Sequence, residues 1–264
     1  MLTKIAEAGY EGVEIAVPAA EAERRELRAL LTDTGLAIVA HQYAPAENNF
    51  ERYHDRLKRN LENSAALEPL LINSHTGSDR WSFDQNCKLV ESAASIAAAY
   101  GVPIVHETHR GRFLYSAPAS AAYFHHFPDM RVTADFGHWT CVAGNLLEDQ
   151  DDIVSVAIER ADHLHARVGF ADGPQVLHPF SDMWSPELTR FMGWWRAIAE
   201  RRRANGNTHL TVTLEAGPVM NGDRTQAEPQ PDFWSSNLAM RAYLSENLRL
   251  HEDARQHRDD TNDV

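Results

Sequence analysis

Val102-Pro103-Ile104-Val105-His106-Glu107 is a short apolar, β-branched run that stops on a carboxylate. It follows an Ala-rich stretch, Phe83–Tyr100, closed by Gly101. A helix stopped by glycine and followed at once by a strand is the step of an alternating α/β chain. Three other segments repeat the pattern. Arg131-Val132-Thr133-Ala134-Asp135, His163-Leu164-His165 and Leu210-Thr211-Val212-Thr213-Leu214-Glu215 also end a strand-like run on a metal-ligand side chain. The four end residues, Glu107, Asp135, His165 and Glu215, are separated by 28, 30 and 50 positions. A separation near 30 is about one strand-plus-helix unit. Ligands at the ends of successive parallel strands converge on one mouth of a barrel. Three carboxylates and one imidazole suit a hard or borderline divalent ion, Mn²⁺ first, then Mg²⁺, Co²⁺ or Zn²⁺. One such acid is as readily the structural partner of an arginine; four in regular order define a candidate site.

Outward from these strands the alternation continues. Strands are expected at 12–17, 37–43, 70–75, 102–109, 131–135, 161–168 and 209–215, and helices at 2–8, 19–34, 48–67, 83–100, 118–127, 145–159, 186–204 and 233–248. Such alternation implies a parallel sheet with helices outside. The chain has 264 residues, and a (β/α)8 TIM-type barrel takes about 250. No linker divides it, so residues 1–250 read as one barrel and 251–264 as a polar, disordered tail. The count is seven strands and eight helices, with a helix first. A closed barrel needs an eighth strand ahead of that helix. The simpler expectation is a chain shortened at its start; the other is an open seam closed by a partner chain or by the tail.

Bulk properties narrow the partners. A formal net charge of −13 argues against nucleic acid, whose binding surfaces are basic. Cys87 and Cys141, the two cysteines, form no metal or redox motif. No signal peptide and no apolar run near 18 residues is evident, so the expectation is a cytoplasmic protein with no membrane partner. Self-association into a homo-oligomer stays open.

At this point the chain resembles the xylose-isomerase-like barrel superfamily, the sugar phosphate isomerase/epimerase family. The resemblance rests on Ala8-Gly9-Tyr10-Glu11-Gly12-Val13-Glu14-Ile15, His106-Glu107-Thr108-His109-Arg110-Gly111-Arg112, Asp135-Phe136-Gly137-His138, His163-Leu164-His165-Ala166-Arg167 and Leu214-Glu215. It implies a metal held by Glu, Asp, His and Glu at the ends of the fifth to eighth strands, the order of Glu107, Asp135, His165 and Glu215. It also implies substrate contacts from His138 and Arg167. The missing first strand departs from the pattern. The superfamily hosts isomerases, epimerases, dehydratases, lyases and nucleases, so the resemblance leaves the substrate open.

Strand alternation fills in the mouth. It sets Val105, Glu107 and His109 on one face, and likewise His163 with His165 and Arg167, Thr213 with Glu215, Val39 with His41 and Tyr43, and Asn73 with His75. The expected substrate contacts are His41, His75, Trp81, His109, Arg110, His138 and Arg167. Each histidine is equally well a satisfied hydrogen-bonding residue. Trp81 and Trp139 follow strand ends, where an indole could stack on a sugar. Arg110, Arg112 and Arg167 could grip a phosphate or carboxylate or pair with the acidic ligands. No Gly-rich phosphate loop is present. His106 and Thr108 alternate away from the mouth. His54, His125, His126, His178, His251 and His257 read as surface or loop residues, Trp194 and Trp195 as helix core, and Arg201-Arg202-Arg203 as a solvated helix end.

The expected reaction is proton transfer beside a carbonyl of a keto-sugar or ketose. A metal would stabilise the ene-diolate, and Glu107 and Glu215 would remove and return the proton. With a leaving group β to the carbonyl, the same enolate makes the enzyme a 3-keto-glycoside lyase or a dehydratase. Abasic-site endonuclease activity fits the negative charge poorly. A metal-binding but inactive subunit is the reading outside enzymes.

Overall fold

The computed structural model describes residues 1–44, 47–218 and 231–248. The expected tail at 251–264 lies outside them. In chain order the elements are α1 (Leu2–Glu7), β1 (Gly12–Ala16), α2 (Glu21–Thr34), β2 (Ala37–Gln42), α3 (Phe50–Ala65), β3 (Leu71–Ser74), α4 (Phe83–Tyr100), β4 (Ile104–Glu107), α5 (Ala117–His126), β5 (Val132–Ala134), α6 (Phe136–Ala143), α7 (Asp151–Arg160), β6 (Ala161–Ala166), α8 (Ser185–Ala204), β7 (Thr211–Leu214) and α9 (Phe233–Asn247).

All seven strands run parallel in the order β1 to β7. They form a nearly closed barrel, a TIM barrel lacking one strand among the described residues. The seam lies between β1 and β7, which pair on one side only. Side chains cross it: Thr213 Oγ1 on β7 donates to Glu14 Oε2 on β1 at 2.5 Å. Outside the seam, Arg241 of α9 donates to the carbonyls of Ala8 and Gly9. Lys4 of α1 sits 4.2 Å over the Trp234 ring of α9. Helices flanking the gap therefore hold its two edges together.

Local chemistry sets the elements. Ser82 and Gln85 form a capping box at the start of α4, and Gly101 ends it in the left-handed region at φ 67°. The main core lies between β4–β7 and the helices α4–α9, with Phe136, Trp139, Phe191, Trp194 and Trp195 buried together. A second core under α3 and α4 includes Tyr53, Leu57, Leu61 and Leu89. Burying each such side chain contributes about 1.5–3 kcal/mol.

Three expectations need correction. The residues after Asp135 form a helix, α6, where the sequence reading has a loop. This helix starts one residue past β5 with Asp135 at its N-cap, but the Asp135 side chain makes no cap hydrogen bond and is turned to Arg167 instead. The next helix starts at Asp151, not 145. Leu147 is forced to φ 59° and its N–H is taken by Asn145 Oδ1 at 2.8 Å, which holds the intervening segment as a turn. The arginine run is also not simply solvated. Arg202 pairs with Asp162, which Arg131 grips from the other side at 2.6 and 2.9 Å.

Candidate metal centre and active site

Four strand ends meet around one nitrogen. His165 leaves β6 with Nδ1 3.0 Å from Glu215 Oε2, 3.7 Å from Asp135 Oδ2 and 3.8 Å from Glu107 Oε1. Donor atoms of Glu107, Asp135 and His165 all lie within 4.8 Å of one another. Glu107, Asp135 and His165 are buried, whereas the Glu215 side chain is 35% exposed and faces the mouth.

Each acid is oriented by a neighbour. Glu107 Oε2 accepts from Asn73 Nδ2 at 2.7 Å and lies 2.8 Å from His75 Nε2. Asp135 accepts from Arg167 at 2.5 and 3.4 Å, and its main-chain N–H donates to Thr108 Oγ1 at 2.8 Å. What remains is informative. Glu107 Oε1, His165 Nδ1 and Glu215 Oε2 are buried polar atoms without a well-formed hydrogen bond. Buried polar groups are normally satisfied. Three orphaned ligand atoms aimed at one point fit a divalent cation.

The charge distribution agrees. Burial would raise the pKa of Glu107, but His75 and His165 hold it well below the usual range. Asp135 is likewise lowered against burial by Arg167 and His138. Glu215 goes the other way: burial raises it, against the pull of His165 and Arg167. Burial opposes charge on His165, yet Glu14, Glu215 and Glu107 hold its pKa well above normal. Without an ion, a proton on His165 partly offsets the clustered acids.

A wall of imidazoles rises beside this centre. Ring centroids are 4.6 Å apart for His41 and His75, 4.3 Å for His75 and His109 and 3.8 Å for His109 and His138. Burial lowers His41 to about 4, His109 to about 2 and His138 to about 4. These three rings are therefore neutral at pH 7, each with one donor and one acceptor nitrogen, and the Nδ1–H of His109 is donated to the Arg110 carbonyl at 2.5 Å. Arg167 closes the wall, with NH2 2.5 Å from His138 Nε2. A guanidinium only donates, so His138 carries its proton on Nδ1, which has no partner. His41–His75–Glu107 and Glu107–His109–His138 also bring ligand-type atoms within 4.8 Å.

The remaining candidates divide. Arg110 is exposed, with NH1 3.8 Å from Cys141 Sγ. Arg112 donates to the Ala44 carbonyl at 3.2 Å and covers the Tyr43 ring. Trp81 packs edge-on against Phe50 and Tyr53. Tyr53 Oη donates to the His75 carbonyl at 3.0 Å, so Trp81 stands behind the His75 loop. Trp139 is fully buried and donates to the Leu114 carbonyl at 2.8 Å, turned into the core and away from any sugar. His106 faces Thr76 Oγ1 at 2.8 Å and packs on Phe113.

A polar floor lies beneath the metal centre, built from inward-facing strand positions and from Glu14, which strand alternation did not single out. Glu14, Asn73, Thr133, His163 and Thr213 form a connected polar layer there. Burial would raise the pKa of Glu14, but His165 and His163 hold it well below normal. Its signal was a lone acid in the apolar run Gly12-Val13-Glu14-Ile15-Ala16.

The chain belongs to the xylose isomerase-like TIM barrel family, whose profile matches residues 2–211. Among solved structures it is similar to a D-tagatose 3-epimerase-like protein, with 16% identity, TM-score 0.64 and coverage of 94% of this chain and 91% of that one. It is also similar to 3-keto-D-glucoside 4-epimerase from E. coli, with 18% identity, TM-score 0.57 and coverage of 93% and 92%. A third is a xylose isomerase-like TIM barrel protein from Mycobacterium smegmatis in complex with magnesium, with 13% identity, TM-score 0.67 and coverage of 94% and 86%. At these identities the likeness shows the fold. No curated protein sequence matches the chain. Among the described residues no helix is long and apolar enough to cross a membrane.

Proposed function

We propose that this protein is a divalent-metal-dependent isomerase or epimerase of a keto-sugar or ketose, working by proton transfer through an ene-diolate. The observation that carries the reading is the convergence of Glu107 Oε1 and Glu215 Oε2 on the nitrogen of His165, beside a wall of imidazoles. A divalent ion held by Glu107, Asp135, His165 and Glu215, Mn²⁺ by preference, would supply positive charge to oxygens of the substrate and stabilise the ene-diolate. Glu215, on the exposed side, takes the carbon-bound proton. Glu107, anchored by Asn73 and His75, stands deeper and returns a proton from another direction. Its charged form is favoured in the metal-free protein, so it first accepts a proton from a substrate hydroxyl or solvent water and passes that proton to the carbon, while Glu215 releases the abstracted proton to solvent. His41, His75, His109 and His138 offer hydrogen bonds to hydroxyls. Arg167 orients Asp135 and His138. Solved neighbours whose names describe sugar epimerases support this reading.

A second reading, elimination from a 3-keto-glycoside, uses the same proton abstraction. It is favoured by the unpartnered Nδ1–H of His138, a donor that could serve a departing oxygen.

The test is incubation of the Mn²⁺-loaded protein in deuterated water with a panel of ketoses and 3-keto-glycosides, followed by NMR. Exchange of a carbon-bound proton is expected, and release of an aglycone would select the lyase. Hydrolysis of an abasic-site duplex with no exchange on any sugar would replace this reading by a nuclease. Stoichiometric metal with neither activity would leave the inactive subunit.

A further inference from the structure

The floor of the barrel holds an acid that the proposed reaction does not use. Glu14 sits on β1 with its side chain only 5% exposed. Its Oε1 accepts from Asn73 Nδ2 at 2.8 Å. Its Oε2 accepts from Thr213 Oγ1 at 2.5 Å and lies 2.9 Å from His165 Nε2 and 3.2 Å from His163 Nε2. An amide NH₂ only donates, and both Glu14 oxygens are taken as acceptors. The two hydrogens of Asn73 Nδ2 go to Glu14 and Glu107 at 2.8 and 2.7 Å, so its 3.2 Å approach to His165 Nε2 is a donor–donor contact, and the shorter contact to Glu14 is an N–H donated from His165 Nε2.

An imidazole that donates from Nε2 has its lone pair on Nδ1 when neutral. Nδ1 is the nitrogen that faces Glu107, Asp135 and Glu215. Glu14 also reaches a second ligand. The same Asn73 Nδ2 that binds Glu14 Oε1 donates to Glu107 Oε2 at 2.7 Å, which turns Glu107 Oε1 toward the centre. Asn73 is itself fixed, its Oδ1 accepting from Thr133 Oγ1 at 2.7 Å.

We propose that Glu14 is a positioning residue for the metal: it fixes the ring orientation and tautomer of His165 so that Nδ1 is the ligating atom, and through Asn73 it sets the carboxylate of Glu107. The inference rests on the metal-site reading above. A ligating histidine whose other nitrogen donates to a carboxylate is held in place and made a stronger ligand, and loss of such a partner typically costs about 10–100-fold in affinity.

The competing explanation is that Glu14 only latches β1 to β7 through Thr213. Two variants separate them. Glu14→Gln replaces one acceptor oxygen by a donor, so it cannot serve Asn73 and His165 together. Thr213→Val removes the contact across the seam and leaves the Glu14–His165 contact in place. Mn²⁺ dissociation constants would be measured by competition with a chelating dye, and folding by thermal melts. The expected result is Mn²⁺ binding weaker by about 10–100-fold in Glu14→Gln, with Thr213→Val within about twofold of wild type even where its melting point falls. Wild-type affinity in a folded Glu14→Gln protein, or equal weakening in both variants, would overturn the proposal. Should Glu14→Gln not fold, ¹⁵N-histidine NMR of the Zn²⁺-loaded wild-type chain decides. A proton on His165 Nε2 with the metal at Nδ1 supports the proposal, and the reverse arrangement overturns it. A wild-type chain that takes up neither ion overturns both this inference and the metal reading beneath it.

Discussion

Arg167 holds Asp135 with its NH2 2.5 Å from Oδ2, so one of the four acids and imidazoles at the centre is already engaged by a cation of the protein's own. The same guanidinium touches His138 and lies 3.4 Å from Glu215 Oε2. Burial opposes its charge, yet Asp135 and Glu215 push its pKa above the ordinary arginine value. It is a permanent positive charge between the acids and the imidazole wall.

Removing that charge separates metal binding from catalysis. In Arg167→Met the acids lose a competitor for the ion while Asp135 loses one orienting contact but keeps its ligand oxygen, so Mn²⁺ affinity should stay within about tenfold of wild type. kcat/KM should fall by about 10²–10³-fold, the usual loss when a charged donor at the reacting centre is removed. Dye competition and steady-state kinetics on the same preparation check both halves. Mn²⁺ binding weakened more than about tenfold would mean that the Arg167–Asp135 contact is needed mainly to hold the ion, not for the reaction.

The ligand assignment makes the opposite prediction for the acids. Asp135→Asn and Glu215→Gln each remove a negative oxygen from the centre and should cut metal content after dialysis steeply, with the fold kept. Metal analysis alongside circular dichroism is the measurement. Full occupancy in both variants would show that the ion sits elsewhere in the mouth, for instance among His41, His75 and Glu107.

Much of this centre was readable from spacing. Glu107, Asp135, His165 and Glu215 each end a run whose period is that of a strand, and parallel strands one unit apart must end on the same side. His75 and His109 follow from alternation, and Arg167 from alternation together with the family resemblance. Trp139 did not, because it lies on α6, a helix with no side-chain cap, and the helical turn carries the indole inward to the Leu114 carbonyl. Glu14 was also invisible as a site residue. It lies in the middle of its strand, and its partners Asn73, His163 and Thr213 are 59, 149 and 199 residues away. Only the closing of the barrel brings those positions together, and no local pattern encodes that.

The pH dependence of metal uptake follows from His165. In the metal-free protein its pKa is raised well above 6.5, against burial, by Glu14, Glu215 and Glu107. At pH 7 the ring is therefore protonated, and Nδ1 must lose a proton to bind an ion. Below that raised pKa, affinity should climb about tenfold per pH unit. Calorimetry at pH 7 in two buffers of different ionisation heat should report about one proton released per Mn²⁺. Release of none would mean that His165 does not bind through a nitrogen protonated in the free chain.

Gly137 tests how tightly the loop after β6 fixes the centre. Glycine here is required by space: its φ is not in the left-handed region, but a Cβ would meet the Pro174 carbonyl oxygen at 2.5 Å and Asp135 Oδ1 at 3.2 Å. The first contact is to backbone and cannot swing aside. Gly169 lies just as close, since a Cβ there would meet Gly137 Cα at 2.6 Å. The two glycines thus let the 169–174 loop lie directly on the first turn of α6, between Asp135 and His138. Gly137→Ala must push that loop out or rotate α6. Overpacking of this kind costs about 1–3 kcal/mol, or about 2–10 °C in melting temperature for a chain of this size. Because α6 begins next to Asp135 and carries His138, Mn²⁺ affinity should weaken as well, whereas Gly193→Ala inside α8, where a Cβ meets nothing within 4 Å, should leave Mn²⁺ affinity unchanged and raise the melting point slightly, since alanine is favoured over glycine within a helix by about 0.5–1 kcal/mol. A Gly137→Ala protein that melts and binds Mn²⁺ like wild type would show that the loop yields freely and does not clamp the site.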